Sequence, residues 1–366
     1  MKVPYHIATL QPYVPGKPVE ELERELGISG SIKLASNENP LGPSPRAVAA
    51  ISEALKDLNR YPDASGFYLR RKIANKFSWS QDGVILGNGS VDIIEMAVRT
   101  FCTDGDEVIV PQGAFIMARI IGQSVNAKVV DVPMSEFHHD VDGIIAAVTD
   151  RTRIIYVDNP CNPLGSYIPR VDWERLTQAL TPDTLLIADQ AYFEFIDAPD
   201  YPDGIEDLKR GVNVLVLRTF SKIHGLAGLR IGYGLGHLEI LASINKIRSP
   251  FNTNSLAQIA AMAAMGDDDF VHKARDLNKA EMDYVSAEIR KRGLKTVPSV
   301  TNFILVDFGK DAGEVYQKLL KQGIIARPVK NYGFPNHLRV SIGTHAENVR
   351  FIEALGRVLR SDKGKA

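Results

Sequence analysis

TFSKIHGLAGLRIGYG, residues 219–234, sets two hydroxyls, a lysine, an arginine and several glycines between apolar runs. VLVLR (214–218) leads into it and IGYGLG (231–236) closes it, and both read as short strands. Thr219, Ser221 and Lys222 therefore sit where the chain leaves a strand, with Arg230 shortly after. A lysine buried there without an acid beside it is costly unless it is neutral, paired or covalently used.

The strand leading into this segment is one of a series. EVIV (107–110), KVVDV (128–132), RIIYVD (153–158) and LLIAD (185–189) are short β-branched apolar runs, with helix-like segments such as WERLTQAL (173–180) between several of them. Apolar strands alternating with helices predict an α/β fold with a mostly parallel sheet buried on both faces. Ligands of such sheets bind outside the carboxyl ends of the strands. Three of those ends carry polar groups: DNPCNPLG offers Asn162, DQAYFEF offers Asp189 and Tyr192, and TFSK offers Lys222 with its hydroxyls. GNGS (87–90) opens the helix-like VDIIEMAVRTFC, with Ser90 at or near its N-cap, and its backbone N–H groups suit a phosphate.

Outside this centre, VEELEREL, PRAVAAISEALKDL and FYLRRKIANKF read as helices, and SIKLASNENP as a strand running into a loop. The four prolines of MKVPYHIATLQPYVPGKP predict an extended arm rather than a helix, and the tail RSDKGKA is expected to fray. TNFILVDF and HLRVSIG alternate with two helical stretches and predict a smaller C-terminal α+β domain. The expected division is 1–45 as arm and joining segment, 46–275 as the large domain and 276–366 as the small one. The 366 residues are 45% hydrophobic and 24% charged, with a net charge of −1, which excludes bulk attraction to nucleic acid. No run is long enough to span a bilayer and no signal peptide is evident. Two cysteines, Cys102 and Cys161, form neither a disulfide framework nor a metal spacing, so a cytoplasmic protein without a bound metal is expected.

SKIHGLAGLRIG resembles the lysine motif of the fold-type I pyridoxal-phosphate aminotransferases. KLASNENPLGPSP (33–45), RYPD (60–63), GNGS, NPCNPLG (159–165), DQAY (189–192) and LRVSIGT (338–344) narrow the likeness to the histidinol-phosphate aminotransferases. That resemblance implies roles. Lys222 would hold pyridoxal 5'-phosphate covalently and carry a proton. Asp189 would pair with the ring nitrogen, Tyr192 and Asn162 would bond the ring hydroxyl, and Phe115 would stack on the ring. Thr219, Ser221, Arg230 and the N–H groups of Ser90 and Val91 would bind the phosphate. Tyr61 would reach the same phosphate from a second copy of the chain, which implies a homodimer. Arg339 would receive the acidic group of the substrate, with Arg327 and Tyr13 in the same pocket and Asn37 closing over it.

Some positions depart from the family pattern. Cys161 and Leu164 stand where asparagine and threonine are usual, and Ala118 where many relatives carry a tyrosine. Cys161 reads either as a small filler or as a reactive thiol, and Phe115 either as the stacking ring or as a core aromatic. The activity implied is transfer of the amino group of histidinol phosphate to 2-oxoglutarate by a ping-pong route. Three alternatives stay open: an aromatic amino-acid aminotransferase, a threonine-phosphate decarboxylase and a pyridoxal-phosphate-binding regulatory module.

Overall fold

The computed structural model describes residues 1–363. Seven strands form its main sheet, in the order Val84–Gly87, Gly232–Leu235, Val214–Thr219, Leu185–Asp189, Thr152–Asp158, Glu107–Pro111, Lys128–Val132. Only Gly232–Leu235 runs against the others. Successive side chains of a strand point to opposite faces. Ile155 and Val157 accordingly pack in one core with Leu186, Ala188 and Val216, and Ile154 and Tyr156 in another with Ile187, Leu215 and Leu217. Burial on both faces explains why these strands read as continuous apolar runs rather than as an alternation.

A second sheet is antiparallel: Lys295–Val297, Phe303–Asp307, His337–Ser341 and Arg327–Pro328. The helices Asp268–Lys291, Gly313–Leu320 and His345–Lys363 cover it, around a core that includes Val285, Ile304, Val340 and Phe351. The first of these helices runs through residues 275 and 276. Ile32–Lys33 pairs in parallel with Ile324–Ile325, which ties the N-terminal segment to this part of the molecule. Among the described residues no helix is long and apolar enough to cross a membrane.

Several local expectations need correction. The arm contains one helical turn, Tyr5–Ala8, in which the Pro4 carbonyl accepts from the N–H groups of Ile7 and Ala8. Proline is tolerated just before a helix, where its missing N–H costs no helical hydrogen bond. The strand expected in SIKLASNENP is only two residues long, Ile32–Lys33, and the chain turns further on, where Asn37 takes a left-handed φ of 55°. VILG (84–87), passed over as the lead into a glycine turn, is a strand of the main sheet. The cap of the following helix is Gly89, and Ser90, expected at or near it, is the first helical residue. Arg360–Lys363 is helical rather than frayed, and the rest of that tail lies outside the described residues.

Candidate active site

One cleft of about 190 Å³, open to solvent, lies at the carboxyl ends of the central strands. The fold brings fourteen of the fifteen site residues expected from sequence to its walls. Asp189, Lys222, Thr219 and Ser221 enter from the ends of neighbouring strands, with Tyr192, Asn162 and Phe115 on the loops beyond them. Ser90, Val91 and Arg230 line one region, and Tyr13, Asn37, Arg327 and Arg339 another. Tyr61 is the exception. It is 83% exposed and stacks on Phe251 at 4.7 Å, away from this cleft.

The Lys222 amine donates to the Ser36 carbonyl at 3.2 Å and lies 5.6 Å from the Tyr192 ring centre. Burial, and then the positive charges of Arg339 and Arg230, bring its pKa down to about 8. Asp189 sits in a different field. Burial, and then the neighbouring carboxylate of Asp158, raise it to about 7, against a hydrogen bond from the Tyr156 hydroxyl at 3.0 Å. Its other oxygen, Oδ1, is buried with no hydrogen-bond partner. An unsatisfied buried carboxylate oxygen is expensive and calls for a donor.

The helix Ser90–Phe101 begins without a side-chain cap, so its first N–H groups are open to an anion. Gly89 makes this possible. A Cβ there would lie 2.4 Å from Nη2 of Arg230, at a φ of 85° that other residues rarely adopt. Arg230 itself has φ 56°, and its Nη1 stands 3.4 Å from the Ser221 hydroxyl. Ser221 N–H in turn donates to the Thr219 hydroxyl at 3.1 Å. Two hydroxyls, a guanidinium and a bare helix start together form a dianion cradle.

Across the cleft, Arg327 and Arg339 are register partners on adjacent strands, and both are buried. Arg327 donates to the Val14 carbonyl at 2.7 Å and lies against the Tyr13 ring. Arg339 donates to the Ala35 carbonyl at 2.6 Å and to Asn162 Oδ1, while its Nε has no partner. Among the described residues neither forms an ion pair with a carboxylate. Asn37 is held by Ser341 on two sides, and its amide donates to the Tyr192 hydroxyl at 2.8 Å.

Sequence reading missed Asp158, Tyr156, Ser36 and Tyr332. Tyr156 lies within an apolar strand run, and Asp158 stands at its end with no local motif to single it out. Cys161 is fully buried, donates to the Gly113 carbonyl at 3.3 Å and has its thiol pKa pushed well up by burial, so it is the inert filler of the two readings. Cys161, His139 and Asp158 bring ligand-type atoms within 4.8 Å of one another, although no spacing in the sequence suggested it. All three are engaged in hydrogen bonds within the protein.

A buried lysine amine with a lowered pKa, a buried acid oxygen lacking a donor and a group of donors suited to a dianion meet at the strand ends of this sheet. Residues 29–355 match the family model described as aminotransferase class I and II, and the chain belongs to that family. It is 46% identical to histidinol-phosphate aminotransferase 2 of Pseudomonas fluorescens strain Pf-5 over 355 residues, 96% of either chain. It is 44% identical to the histidinol-phosphate aminotransferase of Anaeromyxobacter sp. strain Fw109-5, over 98% of this chain and 99% of that one. Among solved structures, the histidinol-phosphate aminotransferase of Sinorhizobium meliloti in complex with pyridoxal-5'-phosphate superposes with a TM-score of 0.91. It is 31% identical and covers 98% of both chains.

Proposed function

We propose that this chain is a pyridoxal-phosphate-dependent aminotransferase that moves the amino group of histidinol phosphate to 2-oxoglutarate, a step of histidine biosynthesis. The observation that carries the reading is the pair of buried arginines without an acid partner, in the same cleft as Lys222 and the bare oxygen of Asp189. Buried cations need anions. Histidinol phosphate brings a phosphate and glutamate a carboxylate, so one cationic wall serves both halves of a ping-pong reaction.

The residues fit the cofactor. Asp189 Oδ1 would accept a ring N–H, and the cradle at Gly89, Ser221 and Arg230 would take a phosphate. When bound, pyridoxal phosphate supplies an electron sink for the bond broken at the substrate carbon. The protein does the rest. Lys222, with its pKa about 8, is poised to hold the cofactor and then to accept and return a proton. Asp189 keeps a proton on the ring nitrogen. Tyr192 and Asn162 orient the ring's polar edge, and Asn37 fixes the Tyr192 hydroxyl. Arg339 and Arg327 bind the acidic end of either substrate, and Phe115 and Tyr13, whose ring centres lie 6.4 Å apart, limit the space beside it. Tyr61, exposed in one copy, would complete the phosphate site of a second, so the active form would be a homodimer. The two free, buried cysteines suit a reducing cytoplasm.

The test is a comparison of amino donors with 2-oxoglutarate as acceptor. Histidinol phosphate should exceed phenylalanine and tyrosine at least tenfold in kcat/KM. Equal or faster turnover of phenylalanine would replace this reading by the aromatic one.

A further inference from the structure

Asp158 ends the strand beside that of Asp189, and the two residues are register partners. Its carboxylate is buried and lines the cleft. One oxygen, Oδ2, accepts two backbone N–H groups: that of Phe115 at 3.1 Å and that of Asn162 at 2.8 Å. These residues belong to loops that follow different strands, and both line the cleft. The other oxygen faces His139, whose Nε2 lies 3.2 Å from Oδ1 and 3.0 Å from the Asp158 carbonyl. His139 is buried as well and comes from a third segment, the hairpin strand His138–His139.

A carboxylate in this place costs desolvation, which pushes its pKa up. Ordinary turn chemistry would not need it, because a carboxylate bonding only its own loop makes the same turn at the surface. Here one bond holds the loop that Asp158 leads into, and the other crosses to the Phe115 loop after a different strand. Asn162, whose backbone N–H this oxygen holds, in turn accepts from Arg339 on the substrate wall through its own Oδ1.

We propose that Asp158, backed by His139, is a positioning residue that clamps the Phe115 and Asn162 loops at the spacing the cleft requires. The clamp is a matter of geometry and does not depend on which ligand enters. Its value to catalysis rests on the aminotransferase reading above. The rival account is that Asp158 acts by its negative charge on Asp189. Asparagine separates the two, since its oxygen accepts the same two N–H groups without the charge.

The experiment compares wild type, Asp158→Asn and Asp158→Ala. Hydrogen exchange is followed in ligand-free protein for peptides covering Phe115 and Asn162, and pyridoxal phosphate affinity is followed by the circular dichroism of the bound cofactor. In Asp158→Ala both amides should exchange at least tenfold faster, cofactor affinity should fall at least tenfold, and KM for the acidic substrates should rise more than kcat falls. Asp158→Asn should restore slow exchange and stay within about threefold of wild type in affinity. Asn as damaging as Ala would overturn the clamp in favour of the charge. Unchanged exchange in Asp158→Ala would overturn it outright. Should that variant not fold, Asp158→Ser, whose hydroxyl is too short to reach both loops, replaces it with the same expectation. A wild type that slows exchange at these amides yet takes up no pyridoxal phosphate would sink the functional reading and leave the clamp standing.

Discussion

Asp189 and Lys222 are both held away from their ordinary titration, in opposite directions and at a cost to the ligand-free protein. Asp189, raised to about 7, keeps its proton in the fold after the unfolded chain has lost it. Between pH 4 and 7 the folded state therefore binds more protons, so this residue's contribution to stability falls as pH rises and is lowest above 7. Ligand-free Asp189→Asn should then be more stable than wild type at pH 8, by a few kcal/mol at most, on the order of 1.4 kcal/mol per pKa unit. The advantage should shrink at pH 5. Denaturant midpoints at the two pH values check this, and a gap that does not change with pH would contradict it. The same variant should bind pyridoxal phosphate more weakly, because an amide does not stabilise a protonated ring. Lys222 is disfavoured below its pKa of about 8 and relieved above it. Lys222→Ala should leave no cofactor on the chain after borohydride reduction and denaturation, whereas wild type should keep one per subunit.

At the scale of an element, the start of the helix Ser90–Phe101 matters more than its body. GNGS announced a glycine turn, and the turn is there. What the motif did not tell is that the cap is Gly89 and that Arg230 fills the space a side chain would take. Gly89→Ala should weaken pyridoxal phosphate binding at least tenfold and cost ~1–3 kcal/mol of stability for its strained φ, while the fold survives, since the clash falls on the end of a flexible side chain. A cofactor titration with an intact thermal transition is the expected pattern, and unaltered affinity would argue against the cradle. The strands of the main sheet were legible because burial on two faces makes them uniformly apolar. The turn at Tyr5–Ala8 was not, because its helix is local and too short for any periodicity to register. Val84–Gly87, as short and as buried as EVIV, escaped because it runs straight into the glycines of GNGS, which read as a turn.

For the whole molecule, several large apolar side chains are left at the surface, Tyr61 among them. Tyr61 and Phe251 stack, and Phe67, Tyr68, Leu55 and Leu58 are exposed as well. Large side chains left in solvent in this number suit an interface between copies. The chain should sediment as a dimer at micromolar concentration, and Phe251→Asp should shift it toward monomer and lower its cofactor affinity together. A monomer with full affinity would contradict the shared site.

The residue types of the site, and the strands that carry them, could be read from the chain, because motifs such as SKIHGLAGLRIG and DQAY hold their chemistry within a few consecutive positions. Period and spacing are local properties, and local properties survive in a linear sequence. The contacts that tune those groups are not local. Asp158 reaches Phe115 across 43 positions, Tyr156 reaches Asp189 across 33, and Arg339 meets Asn162 across 177. Which carboxylate lacks a donor, which amine is drawn toward neutrality and which oxygen joins two loops depend on burial and on strand register. Those are settled only when distant segments pack together.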